Sequence, residues 1–269
     1  MYNDYFGFRE APFNITPDPR FLFFSHTHQE AFDQLMFGIH QRKGFILLTG
    51  EVGSGKTTLC RAILEQLEPR FKTALILNPC MSATQLLRAI LTELGLKAKR
   101  DRVGCLDALN QFLLEQASQD NDVVLLIDEA QNMSMELLEE VRLLSNLETN
   151  TRKLLQIVLV GQPELREKLN REELRQLRQR ITVRYHLLPL SYHETKFYIR
   201  HRIGVCSRSA QPTFNWTALF RIYRYSQGIP RLINAACDRV LLYGYATGTH
   251  HFTGRDIRKS VRELRGHMA

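Results

Sequence analysis

Two hydrophobic periodicities alternate along this chain as far as residue 188. Short apolar runs at Phe45–Thr49, Lys72–Leu77, Val123–Ile127, Leu154–Val160 and Ile181–Leu187 carry few charges. Runs of this length suit strands of a parallel sheet that is buried on both faces. Between them apolar residues recur every three or four positions, as on one face of a helix. The pattern is clearest over 28–42, where Ala31, Phe32, Leu35, Met36 and Ile39 share a stripe. It predicts further helices over Leu59–Leu67, from a Ser82 cap to about Leu94, and over Leu106–Ala117, Ser134–Leu147 and Glu164–Leu177. Strands alternating with helices predict an α/β fold, a parallel sheet sandwiched by helices. From Pro189 the strand runs cease. Helical patterns over about 192–205, 216–226, 231–245 and 254–264 predict a small all-α domain. The expected division is therefore 1–188 and 189–269.

Residues 1–28 fit neither period. Tyr5, Phe6, Phe8, Phe13 and the apolar cluster Phe21–Phe24 are interleaved with Pro12, Pro17 and Pro19. The prolines forbid a long helix. So many phenylalanines predict a hydrophobic strap along the core rather than a free tail. A sharper reading has part of the strap covering an adenine ring, which needs an apolar slot.

The first strand runs directly into Gly50-Glu51-Val52-Gly53-Ser54-Gly55-Lys56-Thr57, followed by Thr58 and a helix. The eight residues match G-x-x-x-x-G-K-[ST], and strand before with helix after is the context the motif requires. Glycines let the backbone curl so that successive N–H groups point inward, and the helix N-terminus adds its positive dipole end. Lys56 is expected to reach the β- and γ-phosphates, and the Thr57 hydroxyl to take a place on Mg²⁺. The strand Val123–Ile127 ends in Asp128-Glu129 at the edge where such sheets meet ligand. Asp128 is expected to hold Mg²⁺, directly or through water, and Glu129 to orient and polarise the attacking water. An Asp-Glu pair after a strand is, taken alone, commonly a helix cap. Paired with the phosphate loop, it makes the chain a candidate ATPase with ATP and Mg²⁺ as its ligands.

Composition narrows the setting. No apolar run approaches the length of a membrane span, and MYNDYFGFRE lacks the basic and apolar regions of a secretory leader. Cys60, Cys80, Cys105, Cys206 and Cys237 are odd in number and form no C-x-x-C pair. Reduced thiols are the expectation, with neither disulfide framework nor zinc site, in a chain placed in the cytoplasm or at the inner membrane face. The net charge of +8 is uneven: residues 189–269 hold 13 Lys+Arg against 4 Asp+Glu, a net of +9, which leaves −1 for residues 1–188. Such an excess suits nucleic acid, anionic lipid or an intersubunit surface facing the acidic Asp128-Glu129 edge.

With these pieces placed, the chain resembles AAA+ ATPases, and within them the general secretion pathway A and MSHA pilus biogenesis ATPases. The resemblance is carried by YFGFREAPF at 5–13, PDPRFLF at 17–23, GFILLTGEVGSGKTTL at 44–59, LLIDEAQ at 125–131, LVGQPEL at 159–165, LRQRI at 177–181 and GIPRLIN at 228–234. It implies a P-loop AAA+ domain followed by a helical lid, and ATP hydrolysis that drives assembly of an envelope secretion or pilus machine. It further implies a homo-oligomer, ring-shaped or nucleotide-dependent, with a partner protein in that machine. By the same resemblance Gln162 corresponds to a sensor at the end of the fourth strand, and Asn78 to a residue that restrains the catalytic glutamate. Arg178 or Arg180 corresponds to an arginine finger acting on a neighbouring subunit, and Arg231 to the lid arginine facing the γ-phosphate. Long members of the family continue into a membrane span and a peptidoglycan-binding region; the expectation here is a short relative or a cytoplasmic fragment. The alternative function is a DNA-handling AAA+ protein of the transposition-regulator or origin-loader type, which shares the architecture and fits the basic C-terminal region.

Overall fold

The five apolar runs become five parallel strands. The computed structural model describes residues 2–149, 152–208 and 212–266. In chain order its elements begin α1 (Tyr2–Phe6), α2 (His26–His40), β1 (Phe45–Gly50), α3 (Lys56–Gln66), β2 (Phe71–Ile76), α4 (Ala83–Glu93) and α5 (Arg102–Ser118). There follow β3 (Asp122–Ile127), α6 (Met135–Leu144), β4 (Leu155–Gly161), α7 (Pro163–Leu169), α8 (Arg175–Arg180) and β5 (Ile181–Leu187). The last third holds α9 (Tyr192–Cys206), β6 (Thr213–Phe214), α10 (Trp216–Ser226), α11 (Pro230–Thr247), β7 (His251–Phe252) and α12 (Gly254–Gly266).

The chain divides into two compact units, residues 27–50 with 59–187, and residues 1–26 with 51–58 and 188–269. The first is the α/β unit. Its sheet has the order β2-β3-β4-β1-β5, every pairing parallel. The central strands β1, β3 and β4 are buried along their whole length, which is why they read as continuous apolar runs, whereas the edge strands β2 and β5 are partly exposed. The core joins Phe45, Leu125, Ile127 and Ile157 of the sheet to Leu87 and Ile90 of α4, Leu109 and Leu113 of α5, and Leu138 and Val141 of α6. Two helices differ from the pattern-based expectation. The helix beginning at residue 102 starts earlier because the Asp101 carboxylate accepts the Gly104 N–H at 2.8 Å and caps it. The helix expected over Glu164–Leu177 is broken after Leu169, where the Asn170 N–H reaches back to the carbonyls of the preceding turn and a 3₁₀ turn intervenes before α8.

The second unit is helical, and the aromatic N-terminus belongs to it. Phe6, Phe8, Phe13 and Phe21 are buried with Ile199 and Ile203 of α9 and Val240 and Leu241 of α11. The expected first domain, 1–188, is therefore corrected at its N-terminal end: residues 1–26 pack with the C-terminal helices. The physical reason is backbone as well as apolar. The Arg9 N–H donates to the Cys206 carbonyl and the Arg208 N–H to the Gly7 carbonyl, each at 2.8 Å. Buried Arg202 donates from Nε to the Pro12 carbonyl at 2.6 Å and from Nη2 to the Asn14 carbonyl at 2.7 Å, with its guanidinium 4.3 Å above the Phe21 ring. Phe6, Phe8, Phe13 and Phe21 of the strap thus face protein. The C-terminal region is also not wholly helical, because β6 and β7 pair in parallel. Among the described residues no helix is long and apolar enough to cross a membrane.

Candidate active site

The phosphate loop, residues 51–58, groups with the helical unit. After Gly50 closes β1, the backbone turns through Gly53 and Gly55, whose φ angles of 78° and 99° lie in the left-handed region that favours glycine. Gly53 has a second reason to lack a side chain: an added Cβ would lie 2.3 Å from Cβ of Arg231. The Arg231 N–H donates to the Gly53 carbonyl at 3.1 Å, so the first turn of α11 rests on the loop. Gly228 permits this approach, since its φ is 79° and a Cβ there would meet the Leu190 carbonyl oxygen at 1.9 Å. Pro230 opens α11 with no N–H left over. Lys56 opens α3 and is buried, its Nζ donating to the Glu51 carbonyl at 2.9 Å. The ammonium is thus folded over the loop. Ser54 is buried, Glu51 and Val52 are exposed, and Thr57 and Thr58 are half-buried in the first turn of α3.

The carboxylates belong to the α/β unit. The Asp128 N–H donates to the Ile76 carbonyl at 2.8 Å, continuing the sheet pairing beyond β3, and its buried carboxylate accepts the Glu129 N–H at 2.8 Å. Glu129 sits at φ 53°, ψ 34°, a left-handed conformation that costs a residue with a side chain about 1–2 kcal/mol. Two amides hold it there. Gln131 Nε2 donates to Glu129 Oε2 at 2.5 Å, and Gln162 Nε2 donates to the same oxygen at 3.1 Å. The clamp is itself braced: Gln131 Oε1 accepts the Gln162 N–H at 3.1 Å, and Lys168 Nζ donates to the carbonyls of Gln131 and Met133 at 2.6 and 2.7 Å. Gly161 leaves room for this, as a Cβ there would lie 2.9 Å from Gln131 Oε1. Glu129 Oε1 keeps no partner among the described residues.

The remaining expected residues separate. Gln162 precedes α7 yet makes no cap with its side chain, which is spent on Glu129. Asn78 is not part of the clamp: its side-chain oxygen accepts the Cys80 N–H at 3.3 Å, an Asx turn that closes the loop after β2. The side-chain bonds to Glu129 come from Gln131 and Gln162. Arg180 Nη1 reaches Ser145 Oγ and Asn146 Oδ1, each at 2.5 Å, and the Arg142 carbonyl at 3.3 Å, all at the C-terminal end of α6. Arg178 makes a 3.1 Å bond to the Asn170 carbonyl and lines a cavity of about 180 Å³ with Arg166 and Arg184. Sequence reasoning missed Gln131 and Lys168. The available signal was position: Gln131 follows Glu129 by two residues, close enough to fold back on it.

Comparison with known proteins agrees with this geometry. The AAA domain family profile matches residues 39–169. General secretion pathway protein A of Aeromonas hydrophila is 46% identical over 268 residues, 99% of this chain and 49% of that protein. The chain thus spans about half the length of this relative. Among solved structures, the ADP form of the Aeropyrum pernix ORC2 protein superposes with a TM-score of 0.70 at 16% identity, covering 96% of this chain and 73% of that one. Cdc6p from Pyrobaculum aerophilum gives 0.67 at 18% identity, covering 97% and 70%. At such identities the two structures speak for the fold alone. The chain thus has the parallel P-loop sheet and AAA domain of the AAA+ fold, and over nearly its whole length it is similar to general secretion pathway protein A.

Proposed function

We propose that this chain binds Mg-ATP and hydrolyses it, and that the cycle drives assembly of an envelope secretion or pilus machine from the cytoplasmic side. The observation that carries the reading is Glu129. One of its carboxylate oxygens is pinned by two amides while the other has no protein partner among the described residues. A carboxylate so fixed is suited to accept a hydrogen bond from an attacking water in one orientation. Lys56 supplies positive charge to the β- and γ-phosphates, and the N–H groups of residues 53–58 line the phosphate cradle. Arg231, seated on Gly53 at the same loop, is the lid cation for the γ-phosphate. The Thr57 hydroxyl and Asp128 carboxylate are hard oxygen donors that fit Mg²⁺, which when bound neutralises phosphate charge. Support for the secretion role comes from the relative named general secretion pathway protein A.

The test is a pair of substitutions. Lys56→Ala should lose nucleotide binding, because the charge on the phosphates is gone. Glu129→Gln should bind ATP as the wild type does and fail to turn it over. Wild-type phosphate release from Glu129→Gln protein would remove Glu129 from its assigned role. The +9 charge of residues 189–269 favours a second reading, a DNA-handling ATPase. Turnover strongly stimulated by duplex DNA, with the stimulation fading as salt rises, would favour it over secretion assembly.

A further inference from the structure

The helical unit carries a second feature that ATP chemistry does not use. Between α10 and α12 lies an open groove of about 660 Å³ whose walls include Trp216, Phe220, Arg221, Arg224, Arg258 and Arg262. Trp216 is 73% exposed and Phe220 47%, so two large apolar side chains one helical turn apart stand in water. The four arginines are exposed, and among the described residues they make no ion pair and no carboxylate lines the groove. Their placement is regular. Arg221 and Arg224 are i,i+3 on α10, and Arg258 and Arg262 are i,i+4 on α12, so each wall presents two arginines one turn of helix apart, with Cβ atoms about 5–6 Å from each other. Gly254 allows the walls to close, since a Cβ there would lie 3.0 Å from Arg221 Nε. The floor is apolar, with Val261 buried beneath.

We propose that this groove docks an acidic amphipathic segment of a partner protein, its apolar side chains against Trp216 and Phe220 and its carboxylates on the four arginines. Charge complementarity and spacing argue for this occupant. An amphipathic helix repeats carboxylates every turn beside an apolar stripe, which matches guanidiniums every turn beside an apolar floor. All four cations are arginine and none is lysine, the choice suited to bidentate pairing with carboxylates, and Trp and Arg are residue types enriched at protein-protein hot spots. A bilayer would meet these aromatics on a protruding face, not in a groove. Duplex DNA would engage the guanidiniums yet offer nothing apolar to Phe220, whose ring is edge-on to Tyr192 at 6.2 Å. The groove proposal does not rest on ATP turnover.

Trp216 is the one tryptophan of the chain, so its emission reports the groove directly. The probe is a synthetic peptide of about four helical turns with Leu and Phe at i, i+3/i+4 positions flanked by Glu. Controls are a peptide of the same composition in scrambled order, an oligo-dT single strand and vesicles containing phosphatidylserine. Labelled-peptide anisotropy serves as an independent readout. The patterned peptide should shift Trp216 emission to the blue and saturate, with Glu129→Gln protein behaving the same. Arg224→Glu/Arg258→Glu should weaken binding about tenfold or more while leaving the melting temperature unchanged, and Arg262→Glu is the second variant should that pair fail to fold. Equal binding of patterned and scrambled peptides would overturn the proposal. So would a blue shift by the oligonucleotide or vesicles at lower concentration, or no response in emission and anisotropy alike.

Discussion

Replacing Gln162 by Met keeps length and shape but deletes the amide that donates to Glu129 Oε2 at 3.1 Å. A hydrogen bond to a charged group contributes about 1.5–3 kcal/mol. At 3.1 Å this one belongs at the lower end, about 1.5–2 kcal/mol, or roughly 10–30-fold in kcat if the loss falls wholly on the transition state. The left-handed backbone of Glu129 adds to the effect, because a side chain released from one amide can relax toward an unstrained conformation. Gln131→Met should cost more, about 100-fold, since it removes the 2.5 Å bond to Glu129 and the acceptor of the Gln162 N–H together. The double variant should be little worse than Gln131→Met, because both act through one carboxylate. Phosphate release gives kcat, and titration with a fluorescent nucleotide gives affinity, which should stay within about twofold of wild type because neither amide is assigned to the phosphates. Wild-type kcat in Gln162→Met, or a tenfold loss of affinity with kcat intact, would show that the amide serves the phosphates and not Glu129.

Two further outcomes are expected. Gly53→Ala places a Cβ 2.3 Å from Cβ of Arg231 at a φ of 78°, so nucleotide affinity should fall about tenfold or more, from backbone strain of about 1–2 kcal/mol plus the displaced helix start; unchanged affinity by nucleotide titration would show that the loop is free of α11. Burial, and then the neighbouring Arg202, hold the His201 imidazole below its ordinary value near 6.5, so the folded chain binds fewer protons than the unfolded chain just below that pH. This contribution to stability is therefore complete above about pH 6.5 and is lost as pH falls further; the melting temperature of His201→Asn should drop less between pH 7.5 and 5.5 than that of wild type, and parallel slopes would refute the assignment.

The sheet was legible because strands buried on both faces leave a plain record: β1, β3 and β4 are apolar at nearly every position. The phosphate loop was legible for a different reason, since positive φ favours glycine, and Gly53 and Gly55 both have it. What stayed hidden was long-range partnership. Phe6, Phe8 and Phe21 announced burial but not against what; their partners on α9 and α11 lie nearly two hundred residues away, joined by pairings such as Arg9 to Cys206 that no local pattern encodes. The same limit explains Asn78. Its place after β2 suited a restraint on Glu129, yet a short polar side chain readily bonds to nearby backbone, here the Cys80 N–H at 3.3 Å. Gln131 could take that role because Glu129 turns left-handed, a conformation sequence does not advertise for glutamate.

Arg178 and Arg180 carry the last distinction, since the sequence offers two arginines on one short helix and no means to choose between them as a finger. Their surroundings differ. Arg180 is committed to three acceptors at the C-terminal end of α6, where exposed carbonyls and the negative end of the helix dipole favour a cation. Moving it toward a neighbour's phosphate would forfeit those bonds. Arg178 holds only the carbonyl and side-chain oxygen of Asn170, and stands beside Arg166 and Arg184 around a cavity that no carboxylate lines among the described residues, a concentration of positive charge that an incoming phosphate would relieve. Arg178→Ala should therefore lower turnover, by up to about 10³-fold if it acts in trans, while leaving the melting temperature unchanged. Arg180→Ala should lower the melting temperature and reduce activity only as far as α6 is disturbed. Mixing Arg178→Ala protein with Lys56→Ala protein should restore part of the turnover, because some interfaces then pair an intact phosphate loop with an intact arginine, and specific activity of the wild type should rise with concentration. Full activity in Arg178→Ala, or a stable but inactive Arg180→Ala that Lys56→Ala protein rescues, would move the finger to Arg180.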